Sequence, residues 1–207
     1  MVGRVVGLLL VSLGVLVLLF AAYAIWGDTA VVNAHQDQMT RQLEQQWARE
    51  PSAPLVGPDS GPSPVPTTPR SAPPAGTGIA VMSIPKLNKR WAVVEGVTTQ
   101  SLRYHPGHYP GTAMPGDEGN FAVAGHRTLA LFFNLDRLAP GDEIIVETGT
   151  GRYVYRVTNV VIVSPTAVEV VQPVPPGEHA GQLLTLTTCN PKFNNYQRLI
   201  VHAALDG

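Results

Sequence analysis

Leu184-Thr185-Leu186-Thr187-Thr188-Cys189 is the run that decides how this chain is read. Leucines alternate with threonines along it, the period of a strand with one face against a core. Asn190 and Pro191 break the run, and Arg198 opens the next apolar strand, Leu199-Ile200-Val201. The connection 190–197 is long for a hairpin but ordinary between antiparallel neighbours. If the two strands pair, Cys189 and Arg198 meet at neighbouring strand ends. Well upstream, Phe121-Ala122-Val123-Ala124-Gly125 has the same character and delivers His126 just beyond its end.

Working outward, strands are predicted at 79–84, 91–95, 120–124, 143–148, 152–163, 167–171, 183–188 and 198–204. Turn signals such as Pro140-Gly141-Asp142 and Gly149-Thr150-Gly151 separate them. Short helical pieces are expected at 99–104 and 129–138. Many short strands with Gly and Pro punctuation make residues 79–207 an all-β barrel or sandwich around one core.

The segment before this domain reads differently. Residues 5–26 are apolar and uncharged, roughly 33 Å as a helix and enough to cross a bilayer core. Arg4 precedes them, Asp28 follows, and the next basic residue is Arg41. By the positive-inside rule residues 1–4 are cytoplasmic and the remainder is outside. The rival reading is a cleaved signal peptide, for which Ala22-Tyr23-Ala24 offers a cleavage site. The apolar run is longer than a signal core, which favours a retained anchor. Residues 27–50 suit a helix continuing out of the membrane as a stalk, with Val32, Met39, Leu43 and Trp47 near one face. Residues 51–78 are dominated by Pro, Ser, Gly, Ala and Thr. They cannot bury a core and read as a disordered linker holding the domain away from the bilayer.

Composition excludes several classes. The formal net charge is -1 with no basic cluster, which leaves nucleic-acid binding without an electrostatic footing. The acids are scattered and the chain has one cysteine, so no metal site or cofactor is expected. Asp117-Glu118 reads as a solvated pair on a Gly-rich turn.

That single cysteine cannot form an internal disulfide. It is a buried hydrophobe, an intermolecular linker or a reactive thiol. The third reading gains from its neighbours. A thiolate nucleophile is favoured by a nearby cation or imidazolium, which Arg198 and His126 can supply. His126, on a Gly-flanked loop, suits a general acid that protonates a leaving amine. Arg198 presents a fixed fork of donors for an oxyanion or a substrate backbone. Backbone N–H groups around Thr188 and Cys189 are further candidate donors. His202 shares the strand face of Arg198 and Ile200 and competes with His126. His105 and His108, flanking a Pro-Gly turn, also fit a cleft.

Taken together these residues resemble the sortases. Thr185-Leu186-Thr187-Thr188-Cys189 is similar to the TLxTC signature of that family, with Arg198 at the expected distance after it. Ala124-Gly125-His126-Arg127 is similar to the segment that bears the catalytic histidine. Gly107-His108-Tyr109-Pro110-Gly111-Thr112-Ala113, with Gly119-Asn120-Phe121, most resembles the actinobacterial class E members. The resemblance implies a closed eight-stranded β-barrel with short helices, and it favours His126 over His202.

It also implies a substrate and a reaction. Exported proteins with a C-terminal sorting signal of LPxTG or LAxTG type would be cleaved between Thr and Gly. Cys189 would form a thioester, and an amine of a cell-wall precursor would resolve it. Tyr109 and Thr188 are candidate substrate-binding residues, Tyr109 for the second signal position. Calcium dependence is not expected, since only Glu169 and Glu178 are acidic in the 164–182 loop. A pilin-polymerising enzyme or a sorting-peptide hydrolase would share the same acyl-enzyme. The linker carries no aromatic residue to plug the site, as some pilin-building relatives do. Outside enzymes, the alternative is a membrane-tethered β-domain that binds a partner.

Overall fold

Strand alternation sorts the domain into an inward and an outward face, and the inward set closes on itself. The computed structural model describes residues 2–49 and 72–206. Eight strands run β1 (Gly78–Ile84), β2 (Lys89–Glu95), β3 (Gly107–His108), β4 (Gly119–Ala124), β5 (Glu143–Glu147), β6 (Arg152–Val163), β7 (Gln182–Asn190) and β8 (Gln197–Leu205). They form a closed barrel in the order β1-β2-β3-β4-β7-β8-β6-β5, with β5 returning to β1. Phe121 and Val123 of β4, Leu184 and Leu186 of β7, and Leu199 and Val201 of β8 fill the interior with Trp91 and Tyr155. Because side chains alternate across a strand, Ala122, Ala124, Thr185, Thr187, Cys189, Arg198 and Ile200 point the other way, onto the outer face.

Two departures from the sequence reading concern the β6–β7 crossover and β3. The expected strand at 167–171 is a turn and a 3₁₀ segment, Val168–Val171. Pro165, Pro173 and Pro175 flank it, and prolines cannot join a ladder as donors. The eighth strand is instead β3, two residues long, which pairs parallel with β2 and antiparallel with β4. The expected helices at 99–104 and 129–138 contract to 3₁₀ turns at Ser101–Arg103 and Leu135–Arg137. Of the expected linker, residues 51–71 lie outside the described residues. Gly76 and Thr77 already trade hydrogen bonds with Glu95, at 2.8 Å each.

Helix α1 spans Val2–Arg49. Its first part, Val2–Ala21, has a mean hydropathy of 2.6 and is unburied, long and apolar enough by composition to cross a membrane. Its second part is docked on the barrel instead of standing free as a stalk. Leu43 is buried with Val81 and Ala92, and Met39 and Trp47 pack against them. His35 stacks on Tyr104 with ring centroids 3.9 Å apart, and Arg90 pairs with Glu44 at 2.7 Å. Gln36 decides the register of this contact. The backbone N–H of Ala92 donates to Gln36 Oε1 at 2.7 Å, and Gln36 Nε2 donates to the Tyr104 carbonyl at 2.6 Å. A buried amide thus completes a strand edge and a loop that no strand reaches.

Replacing Gln36 with Leu strands both backbone groups in a buried place, at a cost of about 2–4 kcal/mol. Denaturant unfolding of the full chain should show a lower midpoint for Gln36→Leu, and protease should cut earlier between α1 and β1. An unchanged midpoint would mean the helix contact contributes nothing to stability.

Candidate active site

Two pairings bring the candidate residues to one end of the barrel. β4 runs parallel to β7, with Ala124 opposite Thr187. The register continues past the strand: Gly125 N–H donates to the Thr187 carbonyl at 3.0 Å, and Thr188 Oγ1 donates to the Gly125 carbonyl at 2.7 Å. His126 therefore leaves its strand beside the residues that precede Cys189. β7 and β8 are antiparallel, and Cys189 faces Arg198 directly across them. Residues opposite one another in such a pair share a face.

Local packing explains why the histidine loop turns where it does. A Cβ on Gly125 would lie 2.5 Å from the Phe132 ring. Only glycine lets Phe132 close the barrel end beneath the loop, where it meets Trp91 edge-on at 5.3 Å. Trp91 Nε1 donates to the Ala130 carbonyl at 2.8 Å, and Phe132 N–H donates to the His126 carbonyl at 3.1 Å. The His126 side chain is left exposed, while Cys189 is half-buried. Among the described residues, neither the Cys189 sulfur nor the His126 ring carries a hydrogen bond. Such contacts often form only when substrate arrives. Arg198 Nη1 donates to the carbonyls of Asn195 and Gln197, at 2.8 and 2.9 Å.

Tyr109 stands over the same outer face, its hydroxyl 3.1 Å from Thr187 Oγ1. Thr188 does not. Alternation turns its side chain inward, where it is buried and bonded to Gly125. Thr187 takes the outward place. The other histidines are committed elsewhere. His108 Nδ1 lies 2.7 Å from Glu95 Oε2 in a buried pair, with Thr112 Oγ1 at 2.8 Å from its other nitrogen. His202 Nδ1 lies 2.9 Å from Thr185 Oγ1, and His202 is buried beneath the outer face. His105 is buried, with Nε2 unpaired among the described residues. Burial pushes both His105 and His202 below the ordinary histidine range; Glu178 opposes this weakly at His202.

Arg127 was read only as part of a motif, and its role was missed. Its side chain is 4% exposed and joins the two loops of the site. Nη1 donates to the Cys189 carbonyl at 3.0 Å and to Asn190 Oδ1 at 2.6 Å. Nη2 pairs with Asp136 at 3.3 Å, and Lys192 reaches the same carboxylate at 3.0 Å. Burial alone would raise the Asp136 carboxyl, but the Lys192 hydrogen bond and the charges of Lys192 and Arg127 hold it below its usual range. The sequence signal was adjacency: a basic residue directly after the histidine, on a loop with an acid ten residues beyond the histidine.

A family model described as the sortase domain matches residues 82–206. Sortase SrtE1 of Streptomyces coelicolor is 34% identical over 212 residues, covering 96% of this chain and 56% of its own length. This chain thus spans little more than half of that relative. The crystal structure of sortase E1 from Streptomyces coelicolor, with a tripeptide in the active site, superposes with a TM-score of 0.61. It is 36% identical and covers 64% of this chain and 90% of that one. Sortase E from Streptomyces avermitilis gives a TM-score of 0.59 at 42% identity, with the same coverages.

Two outcomes follow from these contacts. Arg127→Ala takes a donor from the Cys189 carbonyl and from Asn190 Oδ1, while part-exposed Asp136 keeps Lys192, and should cost about 1–3 kcal/mol of stability. Arg127→Lys should restore part of the stability but not the forked contact, read as thermal midpoint against amide protection of residues 188–192. The second outcome concerns acid. A histidine whose folded-state ionisation lies below its unfolded value of about 6.5 stabilises the fold above that pH and loses this as pH falls further. The melting temperature should therefore drop as pH is lowered from about 7 towards 5, and His202→Gln should flatten the drop. A melting temperature independent of pH across this window would contradict it.

Proposed function

We propose that this chain, which belongs to the sortase family of cysteine transpeptidases and is similar to its class E members, anchors exported proteins to the cell wall. The substrate in this reading is a C-terminal LPxTG or LAxTG sorting signal, cut between Thr and Gly. Residues 5–26 are the retained span, with the N-terminus inside and the barrel outside the plasma membrane.

The Cys189 thiolate attacks the Thr carbonyl carbon, and the carbonyl π electrons move onto oxygen. Collapse of that tetrahedral species breaks the C–N bond, and His126 gives its proton to the departing Gly amine. A thioester remains on Cys189. An amine of a cell-wall precursor then attacks the thioester carbonyl, His126 takes the amine proton, and the thiolate leaves. Arg198 stabilises the oxyanion and the substrate backbone. Its Nη1 is spent on two loop carbonyls, which leaves Nε and Nη2 as donors for the incoming peptide. Tyr109 reads the second signal position from its place over Thr187. Thr188 serves from beneath, by fixing the Gly125 carbonyl. The observation that supports this assignment most directly is the facing register of Cys189 and Arg198, beside a parallel strand that ends at Ala124, two residues before His126.

Mass spectrometry of the full chain incubated with a sorting-signal peptide panel should trap an acyl adduct on Cys189. Cys189→Ala should lower turnover by on the order of 10³-fold or more, and His126→Ala by on the order of 10²–10⁴-fold. Added wall-type amines should divert product from hydrolysis to transfer. Turnover that survives Cys189→Ala sinks the reading. An adduct that no amine can divert leaves a hydrolase.

A further inference from the structure

We propose that the barrel end formed by loops 126–136 and 190–197 is a bilayer-contact surface, seating Leu129, Phe193 and Tyr196 among lipid headgroups. The proposal rests on the retained-span reading given above. Its first support is the direction of α1. A cavity of about 330 Å³ lies between Thr29, Val31 and Val32 of α1 and the loop that holds His126, Thr128 and Leu131. A second cavity, at the other end of the docked segment, is lined by Gln46 and Trp47 with Gly149 and Thr150 of the β5–β6 turn. The helix thus meets the barrel first at the histidine loop and leaves it at the β5–β6 turn.

Distance along the helix then sets the height of each end. Thr29 to Val32 lie about 5–9 Å beyond residue 26 at 1.5 Å per residue. The headgroup layer is roughly 5–8 Å deep on each side. The loop packed against these residues is level with it. The β5–β6 turn is about 20 Å higher along the axis.

The chemistry of the low end fits that layer. Phe193 is 93% exposed, Tyr196 60% and Leu129 44%. Phe193 also holds a φ of 66°, a left-handed conformation costly for a bulky side chain. Its ring projects outward, steadied by Phe133 at 5.6 Å. A projecting aromatic suits a soft interfacial phase, whereas a peptide ligand is normally taken into a concavity. At this end Arg137 is exposed and Lys192 is partly so, beside the acid Asp136, a slightly basic rim complementary to anionic lipid.

The test uses the full chain with Cys189→Ala, so that introduced cysteines alone take an environment-sensitive fluorophore. Labels are placed by Phe193→Cys, Tyr196→Cys, Val11→Cys and Thr150→Cys, each in vesicles of phosphatidylcholine and phosphatidylglycerol carrying a nitroxide lipid. The expected result is blue-shifted, quenched emission at 11, 193 and 196, and neither effect at 150. Quenching at 11 with positions 193 and 196 behaving like 150 overturns the surface and leaves the anchor standing. No quenching at 11 removes the anchor and the proposal with it. None of these readouts depends on transpeptidation, so failure of the enzymatic reading would be seen separately.

Discussion

The parallel pairing of β4 with β7 is the constraint on which the site depends. Parallel neighbours point the same way, so whatever follows each strand emerges at the same edge of the sheet. His126 follows β4 and Cys189 sits near the end of β7, although β5 and β6 intervene in the chain. An antiparallel pairing of the same two segments would send the imidazole and the thiol to opposite ends of the barrel. The register is tied beyond the ladder by Gly125 N–H to Thr187 and by Thr188 Oγ1 to Gly125. Arg198 then needs only the adjacent antiparallel strand, which the short connection after Cys189 provides.

Arg127 converts that edge into one mechanical unit. A guanidinium removed from water is costly unless its donors are matched. Here they meet a backbone carbonyl, an amide oxygen and a carboxylate that also holds Lys192. Lys192 in turn lies over the Phe133 ring at 4.7 Å, and Phe133 meets Phe193. The Cys189 carbonyl, the histidine loop and the exposed aromatic at the tip of the barrel are therefore linked through a chain of direct contacts. A change at the tip has a physical route to Cys189.

Much of this was legible in the sequence, because period-two alternation with Gly and Pro punctuation is a strong signal. β6, β7 and β8 fall within a few residues of their expected bounds, and the pairing of Cys189 with Arg198 follows from one loop length. The failures have specific causes. Residues 167–171 look like a strand because Val168, Val170 and Val171 are β-branched, yet the crossover they occupy offers no partner and their neighbours are prolines. β3 is too short for any periodicity to mark it; its two residues pair because β2 and β4 pass on either side. Thr188 was singled out for its backbone N–H; the inward turn of its side chain onto the Gly125 carbonyl follows from alternation with its outward neighbours. Arg127 was passed over because burial of a charged side chain depends on partners supplied from a distant loop.

The docking of α1 changes what the N-terminal region does for the barrel. A stalk joined through a long linker would let the domain sample many heights and orientations. The described contacts remove that freedom. Gln36 completes the β2 edge, Leu43 is buried on β1 and β2, and Trp47 closes the far end. The chain leaves the helix at Arg49 and re-enters the described structure near Pro73, and Trp47 and Pro73 line one cavity. In the membrane-anchored reading proposed above, the height of the site would be set by the number of helical residues between the apolar segment and Gln36. A fixed height would, in that proposed reading, replace a three-dimensional search for an emerging signal with a search at one level, an entropic gain of the kind obtained by holding reactants in place.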